Sequence, residues 1–269
     1  MLDLFLQPVF DHSGNYFKAE DIHIHDLPEV SGTDLAVFGV EFSGSFEQNA
    51  GSEHGPDAIR KYLKFLAPNY GNLKIRDFGN IKAGSSIKDT FVAIREVVSF
   101  FRERQIPTFI LGGSKEIMAA QYESFSEFSW KLQVTTIDSQ IDLSPDSVYT
   151  KIITSEPNHL FNISVLGFQS YFVPNEVIEA FDKMYFDLIR LGVLRAGIEK
   201  CEPYIRDADI FSFDMSAIRY ANAPGQLFPS PNGLTGEEAC ALMRYAGLSN
   251  GLKTAGIYEY NPDFDERGQ

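Results

Sequence analysis

The sequence predicts an α/β fold in which a largely parallel sheet is wrapped by helices. Three observations carry the prediction. Short β-rich apolar runs alternate with stretches of helical periodicity; several of those runs lack polar alternation; and polar and acidic residues collect where the runs end. Strands covered on both faces read as continuous apolar segments, and strand–helix repetition builds a parallel sheet.

In chain order the predicted strands are Leu35 to Phe42, Leu73 to Asp77, Thr108 to Leu111, Leu132 to Ile137, Phe161 to Leu166, Ile210 to Phe213 and Thr254 to Tyr258. Between the first two, Pro56-Asp57-Ala58-Ile59-Arg60 opens a helix, because proline suits a first turn. Ile87 to Arg104 forms a long amphipathic helix with Phe91, Ile94, Val97, Val98 and Phe101 on one face. Thr235-Gly236-Glu237-Glu238 is a capping box that starts a helix over Ala239 to Tyr245. No internal repeat, low-complexity tract or linker interrupts the pattern, so one domain over residues 1–269 is expected.

The chain has 269 residues, 44% of them hydrophobic, which suffices for one large core. Its net charge of −14 argues against nucleic-acid or anionic-membrane partners. No apolar stretch reaches bilayer length, and the start Met1-Leu2-Asp3 lacks a secretory signal. Two cysteines, Cys201 and Cys240, are too few for a disulfide framework; reduced thiols in a cytoplasmic protein are expected.

Ligands of open parallel sheets sit outside the carboxyl ends of the strands. Gly112-Gly113-Ser114-Lys115 follows the third predicted strand, Asp138 and Asp142 follow the fourth, and Asp214 ends the sixth. Within Asp138-Ser139-Gln140-Ile141-Asp142 and Asp214-Met215-Ser216, polar side chains recur at alternate positions. An extended backbone would turn each set toward one pocket. The spacing suits a shared cation, but histidines are missing from it.

These segments, with Gly55-Pro56-Asp57-Ala58-Ile59-Arg60, Ala223-Pro224-Gly225, Gly233-Leu234-Thr235 and Glu259-Tyr260-Asn261-Pro262, resemble the ureohydrolase superfamily of arginase, agmatinase and formimidoylglutamase. The feel is closest to formimidoylglutamase. The resemblance covers roughly Leu35 to Asp265 and implies a three-layer α/β/α sandwich, an oligomer, and hydrolysis of guanidino or formimino groups by two bridged manganese ions. Carried residue by residue, the histidine of Gly-Gly-Asp-His is Lys115 here. In Asp-Ala-His-x-Asp the histidine is Gln140, while Asp138 and Asp142 remain. In Ser-Phe-Asp-x-Asp, Asp214 remains and the second aspartate is Ser216.

Three ligands of six are retained and both imidazoles are absent. The expectation is that the Lys115 ammonium occupies the first metal's place and neutralises part of a cluster of three aspartates. No cofactor is then expected. The all-oxygen remainder Asp138, Gln140, Asp214 and Ser216 suits at most weakly bound Mg²⁺ or Ca²⁺, not dimanganese. The alternative for the carboxylates is a structural ion cluster. Glu259 matches the residue that contacts the substrate amidine in the family; as a bland alternative it is a buried strand-end carboxylate. His23-Ile24-His25 reads as a surface strand, and Cys201 and Cys240 as packing residues. The loop after Asp142 has no histidine, and Arg219 stands where the family places another aspartate. The chain also stops soon after its last predicted strand, where the family continues into a helix; truncation or a face left for a partner is expected.

Three functions compete at this point: a pseudoenzyme acting by ligand binding or assembly, an active hydrolase of linear amidines, and an interaction protein with a vestigial pocket. The ligand tally favours the first, with a small amidine or amino-acid-like compound as its ligand.

Overall fold

The computed structural model describes residues 2–9, 29–127 and 131–268; the predicted His23–His25 strand lies outside the described residues. Among the described residues nine strands form one sheet in the order β1-β3-β2-β4-β9-β8-β5-β6-β7. They are β1 (Leu6–Gln7), β2 (Leu35–Glu41), β3 (Ile75–Lys82), β4 (Thr108–Leu111), β5 (Leu132–Ile137), β6 (Leu160–Phe168), β7 (Asp187–Arg190), β8 (Ile210–Asp214) and β9 (Thr254–Tyr258). Only β1 pairs antiparallel, and every other neighbour is parallel.

Helices cover both faces: α1 (Gly55–Leu63), α2 (Ile87–Arg102), α3 (Ile117–Glu123), α4 (Val148–Ile153), α5 (Asn175–Lys183), α6 (Leu191–Arg195), α7 (Glu202–Arg206) and α8 (Gly236–Gly247). One core cluster gathers Phe38, Phe78, Ile94, Phe101, Val134 and Tyr149, with the Phe78 and Phe101 rings edge to face at 4.7 Å. A second gathers Ile137, Leu166, Leu194, Phe211, Phe213 and Leu242 around the other helices. All five residues of β8 are buried, which explains its run of apolar and small side chains as far as Phe213, with Asp214 at its end.

The predicted helix signals operate as read. Pro56 occupies the first turn of α1. Ile94, Val97, Val98 and Phe101 of α2 are buried, and Ser86 caps it by accepting from Asp89 N. Thr235 and Glu238 form the capping box of α8, by Thr235 N donating to Glu238 Oε2 at 2.7 Å and Glu238 N to Thr235 Oγ1 at 3.1 Å.

Several elements differ from expectation. β3 runs Ile75–Lys82 rather than Leu73–Asp77, because the polar residues that seemed to end it are buried against Arg60. The Arg60 guanidinium donates to Asp77 at 2.6 and 2.8 Å, to Asn80 Oδ1 at 2.5 Å and to Gly79 O at 3.0 Å, so a charged network stands inside the strand. The helix α2 ends at Arg102, two residues early. The strands β1 and β7 were not predicted; both are short edge strands that carry little apolar signal.

The four central strands β4, β9, β8 and β5 stand side by side with their ends in register: Leu111 opposite Ile257, Asp214 opposite Tyr258, and Ile137 opposite Phe213. Residues just beyond those ends are therefore brought to one edge.

Candidate functional site

Lys115 leaves β4 through Gly112-Gly113, and neither glycine tolerates a side chain. A Cβ on Gly112 would lie 2.1 Å from the Tyr258 ring, and one on Gly113 would lie 2.0 Å from Phe42 O. The turn therefore lies tight against β2 and β9 and delivers Lys115 to the strand tips.

There the Lys115 ammonium bridges two neighbours. Nζ lies 3.0 Å from Asp138 Oδ2 and 3.1 Å from Asp214 Oδ2. Both aspartates are 1% exposed, whereas the lysine side chain keeps 31% of its surface accessible. Asp138 Oδ1 accepts from Gln140 N at 2.9 Å and Oδ2 from the Tyr149 hydroxyl at 2.7 Å. Asp214 Oδ1 accepts from Ser216 N at 2.7 Å. Burial alone would lower the Lys115 pKa. Asp138, Asp214 and Glu259 outweigh it and raise the pKa above the ordinary lysine range, so the ammonium persists at every physiological pH. Burial and Asp138 likewise push the Tyr149 hydroxyl well up, which keeps it a donor.

Glu259 follows β9 in the left-handed region, at φ +68°, a conformation rarely held by a residue with a side chain. Its Oε1 accepts from Lys115 N at 2.6 Å and its Oε2 from Asn49 Nδ2 at 2.9 Å. Burial, and then the charge of Asp214, push its carboxyl up to about 7. It is a strut joining the β9 end to the Lys115 turn.

The remaining predicted residues separate. Asp142 does not join the cluster: its Oδ1 accepts from Ser144 N at 2.8 Å, its Oδ2 from the Ser144 hydroxyl, and it is exposed. The cluster thus holds two aspartates on the ammonium, not three. The reason is local. Beyond Ile137 the chain is no longer a strand, so alternation does not carry Asp142 to the side of Asp138. The Ser216 hydroxyl lies 3.1 Å from that of Ser139. The Gln140 side-chain amide lines the cavity and meets no partner among the described residues. Arg219 is turned to Asn222 Oδ1 at 2.5 Å. Cys201 is buried and Cys240 exposed on α8.

A cavity of about 560 Å³ opens above these groups, lined by Lys115, Gln140, Asp142, Asp214, Ser216 and Glu259 among others. Tyr149, Asn49 and Gln226 also line it and carry no motif in the sequence. Only the position of Gln226, directly after Ala223-Pro224-Gly225, could have drawn notice.

A manganese pair does not fit this donor set. An ion between Asp138 and Asp214 would compete for the space of a protonated amine, and Asp142 is committed elsewhere. Among the described residues no three His, Cys, Asp or Glu side chains are grouped as metal ligands. Among them, too, no helix is long and apolar enough to cross a membrane.

Known proteins share this architecture. The formimidoylglutamase of Lysinibacillus sphaericus is 23% identical, aligned over 94% of this chain and 85% of its own length. That of Staphylococcus haemolyticus is 26% identical over 90% and 84%. Among solved structures, the oxidized Trypanosoma cruzi formiminoglutamase with Mn²⁺₂ superposes with a TM-score of 0.81 at 20% identity, covering 89% of this chain and 88% of that one. The agmatine ureohydrolase of Thermoplasma volcanium gives 0.74 at 21% identity, covering 94% and 88%. The sequence model of the Arginase family matches residues 33–269, so the chain belongs to the arginase family.

Proposed function

We propose that this protein is an arginase-family member that has exchanged its metal pair for an internal cation, and that it acts by binding a small amino-acid-like compound, alone or within an assembly of further copies. The observation that carries the reading is the Lys115 ammonium, 3.0 and 3.1 Å from the two aspartates a metal would need. Without a metal there is no activated hydroxide at the strand tips. Lys115 itself is too firmly protonated to serve as a base or nucleophile.

The test is elemental analysis of protein equilibrated with Mn²⁺, alongside assays with formimidoylglutamate, agmatine and arginine. Substoichiometric manganese and no turnover are expected. Stoichiometric manganese with turnover would overturn the reading. Lys115→His, Gln140→His and Ser216→Asp combined should raise manganese uptake above the parent's, since the change removes the ammonium and returns three donors to the strand tips.

A second reading is favoured by the relatives, which are formimidoylglutamases aligned over most of this chain. In it the protein hydrolyses a linear amidine with a single weakly held cation, Mg²⁺ or Ca²⁺, on Asp138, Gln140, Asp214 and Ser216. Turnover that depends on either ion, with no manganese bound, would select it.

A further inference from the structure

The Gln140 and Gln226 amides both line the cavity, and only one of them is spent. Gln226 is 2% exposed, and its Nε2 donates to Ile218 O at 3.0 Å and to Ala223 O at 2.6 Å, so the fold holds it. Gln140 is half-buried. Neither polar atom of its side chain is sealed by the fold, and neither meets a partner among the described residues. An amide sets an oxygen that accepts beside a nitrogen that donates. A second primary amide answers both at once, laid edge to edge in a pair of N–H···O bonds, whichever way Gln140 is turned.

Charge tells against the ionised isosteres of such a head. Gln140 N and Lys115 Nζ both donate to Asp138, so the amide stands beside the ammonium. Asp138 and Asp214 together outnumber Lys115, yet each is 1% exposed while a third of the lysine side chain is open. A cation placed on Gln140 would therefore meet the ammonium before the carboxylates behind it. An anion would feel the summed field of the aspartates, with Glu259 adding to it. The other lining acids do not reverse this. Glu116 has Lys151 Nζ at 3.6 Å, and the Glu259 carboxyl, raised to about 7, is only partly ionised near neutral pH. Asp142 and Asp146 are exposed, where water screens them. A neutral head avoids both repulsions.

The lining also supplies an apolar wall. Phe46 and Phe228 stand edge to face with ring centroids 6.4 Å apart, and both remain more than half exposed. Leu227 and Val148 line the same space. An alkyl chain laid on these rings would remove apolar surface from water on both sides.

We propose that the cavity binds a short-chain primary carboxamide, its head paired edge to edge with the Gln140 amide and its chain against Phe46 and Phe228. The proposal gives the small compound of the preceding section its head group, and it rests on the reading that no metal pair occupies the strand tips.

The experiment is an NMR titration of the metal-free full chain near neutral pH with pentanamide, pentanamidine and pentanoate. The three have nearly the same shape and carry no charge, a positive charge and a negative charge. Pentanamide should move the Gln140 side-chain amide signals saturably, as one site, and the two ions should bind about tenfold more weakly or less, the cost of one unmade hydrogen bond. Acetamide, which lacks the chain, should also bind about tenfold more weakly. Gln140→Met keeps the side chain's length and breaks no bond among the described residues; it should weaken pentanamide by about tenfold, read from the ligand's own signals. Unmoved Gln140 signals, an ion bound as tightly as pentanamide, acetamide matching pentanamide, or an unchanged affinity in Gln140→Met would each overturn the proposal. Manganese uptake with turnover would instead sink the metal-free reading, so the two failures are distinguishable.

Discussion

The cation–carboxylate clusters around Arg60 and around Lys115 differ in what they leave unfinished. At one, Arg60 on α1 reaches into β3 and finds Asp77, Asn80 and the Gly79 carbonyl, with the arginine and Asp77 side chains each 4% exposed. A planar guanidinium matched by a bidentate carboxylate is a closed arrangement. At the other, Lys115 meets two carboxylates and keeps about a third of its side chain accessible to a cavity that the Gln140 amide also lines. The first cluster completes a strand. The second resembles a site, because its polar groups exceed the partners the chain supplies.

The contrast can be broken most directly at Arg60. Arg60→Met should cost about 3–5 kcal/mol, since it strands Asp77 inside the sheet. Urea unfolding measures it, and a loss of less than about 1 kcal/mol would deny the cluster its structural role. Lys115→Met should cost less, on the order of 1–3 kcal/mol, because its side chain is partly solvated. This variant also sharpens the comparison. With the ammonium gone, Asp138 and Asp214 face each other unneutralised, and added Ca²⁺ should raise the Tm of Lys115→Met while leaving the parent unmoved. A parent protein that responds equally to Ca²⁺ would mean that Lys115 does not stand in for a cation.

The smallest effect is a slope. The Glu259 carboxyl is raised to about 7 from an ordinary 4.5, so the folded state holds its proton more firmly than the unfolded chain. Its contribution to stability is fully present below about 4.5 and is lost as pH rises through about 7. Glu259→Gln should flatten the fall in Tm between those limits by removing this one titration. Parallel Tm–pH curves for parent and variant would show that Glu259 ionises in the fold as freely as in water.

How much of this was legible in the chain depends on distance along it. Strands β4, β5, β8 and β9 announce themselves as apolar runs, and Lys115, Asp138 and Asp214 can be read at their ends. Alternation points Asp142 to the side of Asp138, but β5 stops at Ile137 and the alternation stops with it. β3 was cut short because the polar residues within it owe their burial to Arg60, on a preceding helix. Asn49, whose partner Glu259 is 210 residues away, carries no local signal at all.

By itself, then, the sequence determined the parallel sheet, the helix caps and the presence of an amine, Lys115, and an amide, Gln140, beyond strand ends, because periodicity, capping and residue type are local properties. Only the tertiary structure decided which carboxylates meet the ammonium, which are spent on their own loops, and that the Gln140 amide meets no partner among the described residues. Those outcomes depend on how the tips of β4, β9, β8 and β5 align and on where each turn sends its side chains. Partner choice among like charges is a matter of ångströms, and only packing sets it.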